Sequence, residues 1–322
     1  MSEAVGKGWT VASIPSQVGR RALITGANSG IGFHAAAELA RNGAQVLLGC
    51  RDRSKGEAAL ARLRAEDPRA NAEAAVLDMA SLESVRAFAA AELARGEPLD
   101  LLINNAGVMA PKQRLETADG FEIQFGTNVL GHFALTALLL PALEQAAMGG
   151  GQRPRVVTIA SIAHKQGRLN FDDLQSEGDY SAMGAYRQSK LADLMFAFEL
   201  DRRLRAAGPP ASSVMSIAAH PGVANTNLFQ VGEFPPVERL VRRWFGAAIG
   251  ALLNSSAQGA LPTLFAATAS EAVSGGYYGP QGFLETRGGD VGPANVAVQA
   301  LDETAASRLW IECERLTGVS LL

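Results

Sequence analysis

Short, continuous apolar runs separated by longer stretches of helical patterning are the organising feature of this chain. The runs are Arg21 to Thr25 (RALIT), a second beginning at Gln45 (QVLLGC), EAAVL at 73–77, DLLIN at 100–104, RVVTIA at 155–160, VMSIAA at 214–219 and a short YYG at 277–279. A strand with one face in water alternates apolar and polar residues, whereas one covered on both faces reads as apolar throughout. These runs therefore predict a parallel sheet with helices on both sides, because parallel neighbours need a helical crossover between them. The stretch RALITGANSGIGFHAAAELARNGAQVLLG is the opening unit: strand, Gly-rich turn, alanine-rich helix, second strand.

Composition narrows the function. The chain has 322 residues and no Pro/Ser-rich linker, which predicts a single domain over 20–322 behind an extension at 1–19. With 48 % hydrophobic residues it can bury a large core, and a net charge of −3 gives no electrostatic case for binding nucleic acid. Cys50 and Cys313 lie far apart without metal spacing and read as reduced thiols. His34, His132, His164 and His220 lack ligand partners at useful spacing, so no metal is expected. The longest apolar run, FALTALLLPAL at 133–143, reads as too short to span a bilayer and contains Pro141, and the N-terminus lacks a signal-peptide core. The expectation is no membrane span and a cytoplasmic location. No G-x-S-x-G elbow surrounds Ser161, which removes hydrolase chemistry.

Two local patterns carry chemistry. Glycines at 26, 30 and 32 have the spacing G-x-x-x-G-x-G rather than G-x-G-x-x-G, yet they sit between a strand and a helix as a phosphate-binding turn must. The free N–H groups and dipole at the helix start attract a pyrophosphate, expected over Gly30 and Ile31. Tyr186 and Lys190 are four residues apart in AYRQSKLADLMFAFEL, so a helix puts them on one face. An ammonium beneath a phenol stabilises its oxyanion and makes tyrosine usable as an acid or base near neutral pH.

The segments Thr25-Gly26-Ala27-Asn28-Ser29-Gly30-Ile31-Gly32 and Asn104-Asn105-Ala106-Gly107, then Asn128, Ser161 and Tyr186-x-x-x-Lys190, follow in the order of the short-chain dehydrogenase/reductase family, which the chain resembles from about residue 20 to beyond 222. The long separation of 25 residues between Ser161 and Tyr186, CRDRSKGEAAL at 50–60 and YYGPQGFLE at 277–285 resemble its retinol-dehydrogenase-like and protochlorophyllide-reductase-like branch. The resemblance implies an α/β Rossmann-type doubly wound sheet of seven parallel strands in the order 3-2-1-4-5-6-7. That order reverses between strands 1 and 4, and ligands in such sheets bind at the reversal, outside the carboxyl ends of the strands. Gly26, Arg51, Asp78, Asn105, Ser161 and Pro221 each fall at or just past such an end.

The resemblance further implies a catalytic tetrad of Asn128, Ser161, Tyr186 and Lys190. Tyr186 exchanges a proton with a substrate oxygen, Ser161 donates to that oxygen, Lys190 holds the nicotinamide ribose and lowers the tyrosine pKa, and Asn128 keeps a water on the path to Lys190. Implied cofactor contacts are Gly26, Asn28, Ser29, Gly30, Ile31 and Gly32 at the phosphates, and Asp78 at the adenine amide with Met79 beside it. Asn105, Ala106 and Gly107 line the adenine-ribose side, and Pro221, Gly222, Val223 and Thr226 hold the nicotinamide carboxamide. For Asp78 the rival reading is a helix N-terminal residue before Ser81. Residues 226–256 correspond to a substrate lid, with a packed helix pair as the other reading, and the helices carrying Asn128 and Tyr186 imply a homo-oligomer.

Strand 2 ends in Arg51, where a guanidinium pairs with a 2′-phosphate; Asp52 competes, but Arg53 and Lys55 keep the balance positive, so NADP is expected over NAD. The function expected is that of a carbonyl reductase or alcohol dehydrogenase acting with NADP on a lipophilic substrate. Reduction of a conjugated C=C bond and non-catalytic cofactor sensing remain as alternatives.

Overall fold

Every residue of β1 (Arg21–Thr25), β5 (Arg155–Ile159) and β6 (Met215–Ala219) is buried, as strands covered on both faces must be. The computed structural model describes residues 5–223 and 254–322. Its other strands are β2 (Gln45–Cys50), β3 (Ala72–Val76), β4 (Leu101–Asn104), β7 (Tyr277–Pro280) and β8 (Val291–Pro293), and the sheet runs β3-β2-β1-β4-β5-β6-β7-β8. The helices are α1 (Gly30–Arg41), α2 (Arg53–Glu66), α3 (Leu82–Ala94), α4 (Gly131–Met148), α5 (Ala182–Ala207), α6 (Ser256–Thr268) and α7 (Glu303–Thr317).

Successive strand side chains point to opposite faces, which divides the interior into two cores. Leu23, Leu47, Leu102 and Val156 pack with α3, α4, α5 and α7 on one face. Ile24, Leu48, Ile103 and Val157 pack with α1, α2 and α6 on the other. Trp9, before the first strand, meets Phe265 of α6 edge-on at 5.4 Å between ring centres, and Ile14 and Gln17 are also buried.

Two expectations need correction. The described sheet has eight strands, not seven, and is not wholly parallel: β8 pairs antiparallel with β7, placing Gly279 opposite Gly292. Its three residues, VGP, form no apolar run, and pairing with β7 is what makes them a strand. The apolar stretch at 133–143 belongs to a longer helical segment, Phe125–Met148, whose 24 residues are long and apolar enough to cross a membrane on composition alone. Of its most apolar part, 83 % is buried within the fold, so packing against the sheet and α5 accounts for that character.

Trp310 of α7 closes one core. Its ring meets Phe133 at 5.1 Å and Phe196 at 5.9 Å, and the Arg203 guanidinium lies 4.5 Å over it. Trp310→Ala should therefore cost about 3–5 kcal/mol of stability, the range for removing a fully buried aromatic. Urea denaturation checks this: the midpoint should fall with little change in slope.

Candidate active site

The turn after β1 brings backbone where a side chain would obstruct. Gly26 has φ +67°, and a Cβ there would lie 2.9 Å from Ala106 Cα. At Gly32 a Cβ would stand 2.5 Å from Asn105 Nδ2 and 2.7 Å from the Gly26 carbonyl. The first N–H groups of a helix have no intrahelical acceptor, and Ser29 at the start of α1 makes no capping bond, so these donors face the cleft. A glycine-lined approach to a helix N-terminus fits a pyrophosphate.

One hydroxyl fastens this turn to the next strand. Thr25 Oγ1 accepts from Asn105 N at 2.9 Å and Ala106 N at 2.8 Å, and Asn105 Nδ2 donates to the Thr25 carbonyl at 2.7 Å. His132 Nδ1 lies 2.7 Å from the Asn128 carbonyl, which can only accept, so Nδ1 carries the proton. Nε2 then accepts from Thr25 Oγ1 at 2.9 Å. Burial pushes the His132 pKa down to about 4, leaving the ring neutral.

Asn128 lies in a π turn, Phe125–Leu130, directly before α4. Its Oδ1 accepts from Val108 N at 2.8 Å, and its Nδ2 donates to the Val108 carbonyl at 3.1 Å and Ser189 Oγ at 3.0 Å. The side chain thus sits behind the segment Gly107–Val108, and Asn128 is not among the residues of the cleft wall.

Helix α5 begins at Ser181, whose hydroxyl accepts from Gly184 N, and carries Tyr186 and Lys190 on one buried face. The Tyr186 side chain is 7 % exposed and lines the cleft; among the described residues its hydroxyl has no hydrogen-bond partner. Lys190 Nζ donates to the Ile159 carbonyl and to Asp193 Oδ2, each at 2.8 Å. Burial opposes the ammonium, but the Asp193 carboxylate and the nearby Tyr186 outweigh it, and the Lys190 pKa is raised. Burial raises the Asp193 pKa against the pull of Lys190, and the 2.8 Å contact between the two groups has the geometry of an ion pair. Ser161, just past β5, accepts from Ala163 N at 3.2 Å through Oγ and lines the cleft, which leaves its own proton for a ligand.

Arg51 is exposed on the cleft rim. Asp52 is committed elsewhere: its carboxylate accepts from Lys55 N at 3.0 Å and Ser54 Oγ at 2.7 Å, capping α2. Asp78 does two things, lining the cleft and accepting from Ala80 N at 3.0 Å, while Ser81 caps α3. Pro221 and Gly222 are held by the Asn254 amide, 3.2 Å from the Pro221 carbonyl, and by His220 Nδ1, which accepts from Gly222 N at 3.2 Å. Val223 N donates to the Thr286 carbonyl at 2.8 Å in the β7–β8 connection.

Together these residues bound a cleft of about 580 Å³. Gly26, Asn28, Ser29, Gly30, Ile31, Gly32, Arg51, Asp78, Met79, Asn105, Ala106, Gly107, Ser161, Tyr186, Lys190, Pro221, Gly222 and Val223 all lie on its walls. Thr226 and most of 226–256 lie outside the described residues. The walls run past the ends of β3, β2, β1, β4, β5 and β6, five strand spacings or roughly 24 Å, which suits an elongated dinucleotide. Sequence reasoning missed Asp193, His132, and the apolar walls Met109, Ile162 and Met183. Met183 lies three residues before Tyr186, so helical spacing could have found it.

The family model described as short chain dehydrogenase matches residues 20–232. Retinol dehydrogenase 14 of Homo sapiens is 39 % identical over 94 % of this chain and 87 % of its own length. Polyprenol dehydrogenase of Mus musculus is 42 % identical over 95 % of this chain and 86 % of its own. Among solved structures, an uncharacterized protein from Mycobacterium Paratuberculosis is 39 % identical, with TM-score 0.76, covering 98 % of this chain and 99 % of that one. The NADP active-site complex of Pseudomonas aeruginosa RhlG is 25 % identical, with TM-score 0.60, over 81 % of this chain and 94 % of that one.

The Thr25 hub is directly testable. Thr25→Val keeps the shape but strips two backbone donors of their acceptor and His132 of its donor, so it should cost at least about 2 kcal/mol. Thr25→Ser keeps the hydroxyl and should lose clearly less, as read by paired denaturation curves.

Proposed function

The chain belongs to the short-chain dehydrogenase family, in its retinol-dehydrogenase-like branch, and from that premise we propose that it is an NADP-dependent oxidoreductase interconverting a lipophilic alcohol and its carbonyl, with Tyr186 as acid and base. The observation that carries this reading is the Tyr186 hydroxyl, unpartnered among the described residues and facing the cleft from the same helix face as a charged Lys190.

A nicotinamide dinucleotide bound in this cleft supplies or accepts the hydride. The chain's own residues do the rest. In the reductive direction Tyr186 gives its proton to the substrate oxygen while Ser161 Oγ donates a hydrogen bond to the same atom, stabilising charge as it develops there. Lys190 lies on the same helix face as the phenol and has one proton left for a ribose hydroxyl once Ile159 and Asp193 have taken two. Asn128 fixes Val108 and Ser189, and so holds the segment after β4 against α5. Met109, Ile162 and Met183 offer an apolar wall near the phenol, in keeping with the lipid alcohols named in the retinol and polyprenol relatives. Arg51 supports NADP because Asp52, its rival for the ribose, is used as a helix cap.

Tyr186→Phe should lower kcat on the order of a hundredfold or more while leaving NADPH affinity nearly unchanged. Ser161→Ala should also lower kcat, by roughly 3 kcal/mol of barrier. The assay is turnover of NADPH with a panel of lipophilic aldehydes and enones, which separates carbonyl reduction from C=C reduction by product. More than a tenth of wild-type kcat in Tyr186→Phe would assign the acid to another group.

For cofactor choice, Arg51→Ala should weaken NADPH binding at least about tenfold and NADH binding little, since a guanidinium meets the 2′-phosphate with charge-assisted hydrogen bonds. Asp52→Ala should leave the ratio of the two affinities unchanged. Fluorescence titration of both cofactors decides it: equal losses on Arg51→Ala, or a wild type that prefers NADH, would show that another residue reads the ribose.

A further inference from the structure

Lys190 is paired with a second buried charge that the proton transfer described above does not require. Its Nζ is 2.8 Å from Asp193 Oδ2, one turn further along α5, and the two side chains are 8 % and 3 % exposed. The Ile159 carbonyl, also 2.8 Å away, takes a second proton of the ammonium. The remaining N–H is directed by elimination, and the space beside Gly107, where a Cβ would lie 4.0 Å from Nζ, is on the cleft side.

The charges here decide where the proton of the phenol resides. An unopposed ammonium buried near a phenol would drive the cluster to shed a proton, because loss of one takes the buried site from +1 to neutral. With an ionised carboxylate in hydrogen-bond contact the site starts neutral, and losing a proton leaves a buried negative charge, which is costly. The other titratable groups facing this pair are uncharged at neutral pH. His132, before Phe133 on α4, is held neutral by burial, as is the Tyr277 hydroxyl of β7, and the Cys313 thiol of α7 is pushed up by burial. Among the described residues Asp193 is therefore the group that balances Lys190.

We propose that Asp193 is a positioning residue that cancels the charge of Lys190 and so keeps Tyr186 in its phenol form at neutral pH, loaded to donate a proton to a substrate oxygen. The inference rests on the reading of Tyr186 as the acid and assigns the carboxylate the task of biasing the site toward carbonyl reduction. It acts through Lys190 and touches no reacting atom.

Asp193→Asn is nearly isosteric, and its amide oxygen still accepts from Nζ, so the variant removes the charge and keeps the contact. Tyrosinate formation is followed by ultraviolet difference titration of the cofactor-free protein in wild type and Asp193→Asn, and again in each with Tyr186→Phe added, so that the difference isolates the signal of Tyr186. The alkaline limb of the pH profile for NADPH-dependent reduction is measured in parallel. Both are expected to move to lower pH in Asp193→Asn, by about one pH unit or more. A Tyr186 titration that stays at the wild-type pH or rises, or an alkaline limb that does not move, overturns the proposal. Circular dichroism establishes that the variant folds, and Asp193→Ser, smaller and also uncharged, replaces it if Asp193→Asn does not. The titration reads the phenol without turnover. Full activity in Tyr186→Phe would therefore sink the acid assignment, whereas an inactive Tyr186→Phe with an unmoved titration would sink only the role of Asp193.

Discussion

The cleft depends on the seam between β1 and β4, where the chain's crossovers change from one face of the sheet to the other, and on the single hydroxyl that closes that seam. Thr25 Oγ1 accepts from the backbone N–H groups of Asn105 and Ala106 and donates a hydrogen bond to His132 Nε2. Neighbouring strands of a sheet are joined along their length by backbone bonds, but those bonds end where the strands end. Beyond β1 and β4 the side chain of Thr25 continues the connection. It holds Asn105 where its amide can reach over Gly32, and it brings Ala106 close enough to Gly26 that only a glycine fits. Through His132 the same hydroxyl reaches the Asn128 carbonyl, so the glycine-rich turn and the π turn share one network.

Charge in the interior of the cleft is tightly controlled. Burial drives His132 to about 4 and His220 to about 3, so both imidazoles serve as neutral hydrogen-bonding groups and not as cations. Among the described residues the remaining interior charges beside the phenol are Lys190 and Asp193, and they form a pair. Arg51, by contrast, stands exposed at the rim, where water screens it until a ligand excludes that water. The cleft therefore has a charged, wet edge at Arg51 and a dry centre where the buried charges are paired.

The hairpin of β7 and β8 stands behind the far end of the cleft and braces its walls. Glu285 in their connection pairs with Lys165 at 2.5 Å and accepts from the Asn295 backbone and side chain at 2.6 Å. Thr286 receives Val223 N, and Gln299 donates to the His164, Lys165 and Gly167 carbonyls at 3.0–3.3 Å. His164 Nδ1 donates to the Ser161 carbonyl at 2.6 Å, and Ala297 N donates to its Nε2 at 3.2 Å. A C-terminal segment with no chemistry of its own thus fixes both Ser161 and the Pro221–Gly222 turn.

Sequence alone determined what local spacing and burial on both faces encode. Runs such as RALIT and RVVTI can be strands only inside a covered sheet, the glycines at 26 and 32 mark backbone approach, and a separation of four places Tyr186 and Lys190 on one face of α5. Tertiary structure decided the rest. The strand β8 has no apolar pattern and exists through its pairing with β7, and the π turn at Asn128 follows from packing between Val108 and Ser189. Asp193 lies three residues after Lys190, a spacing as ordinary as that of the exposed pair Arg315 and Glu312. What distinguishes it is depth: α4, α7 and the sheet enclose Lys190 and Asp193 and exclude water, and the interaction of two charges grows as the dielectric around them falls. Spacing is written along the chain, but the dielectric around a charge is set by what folds over it.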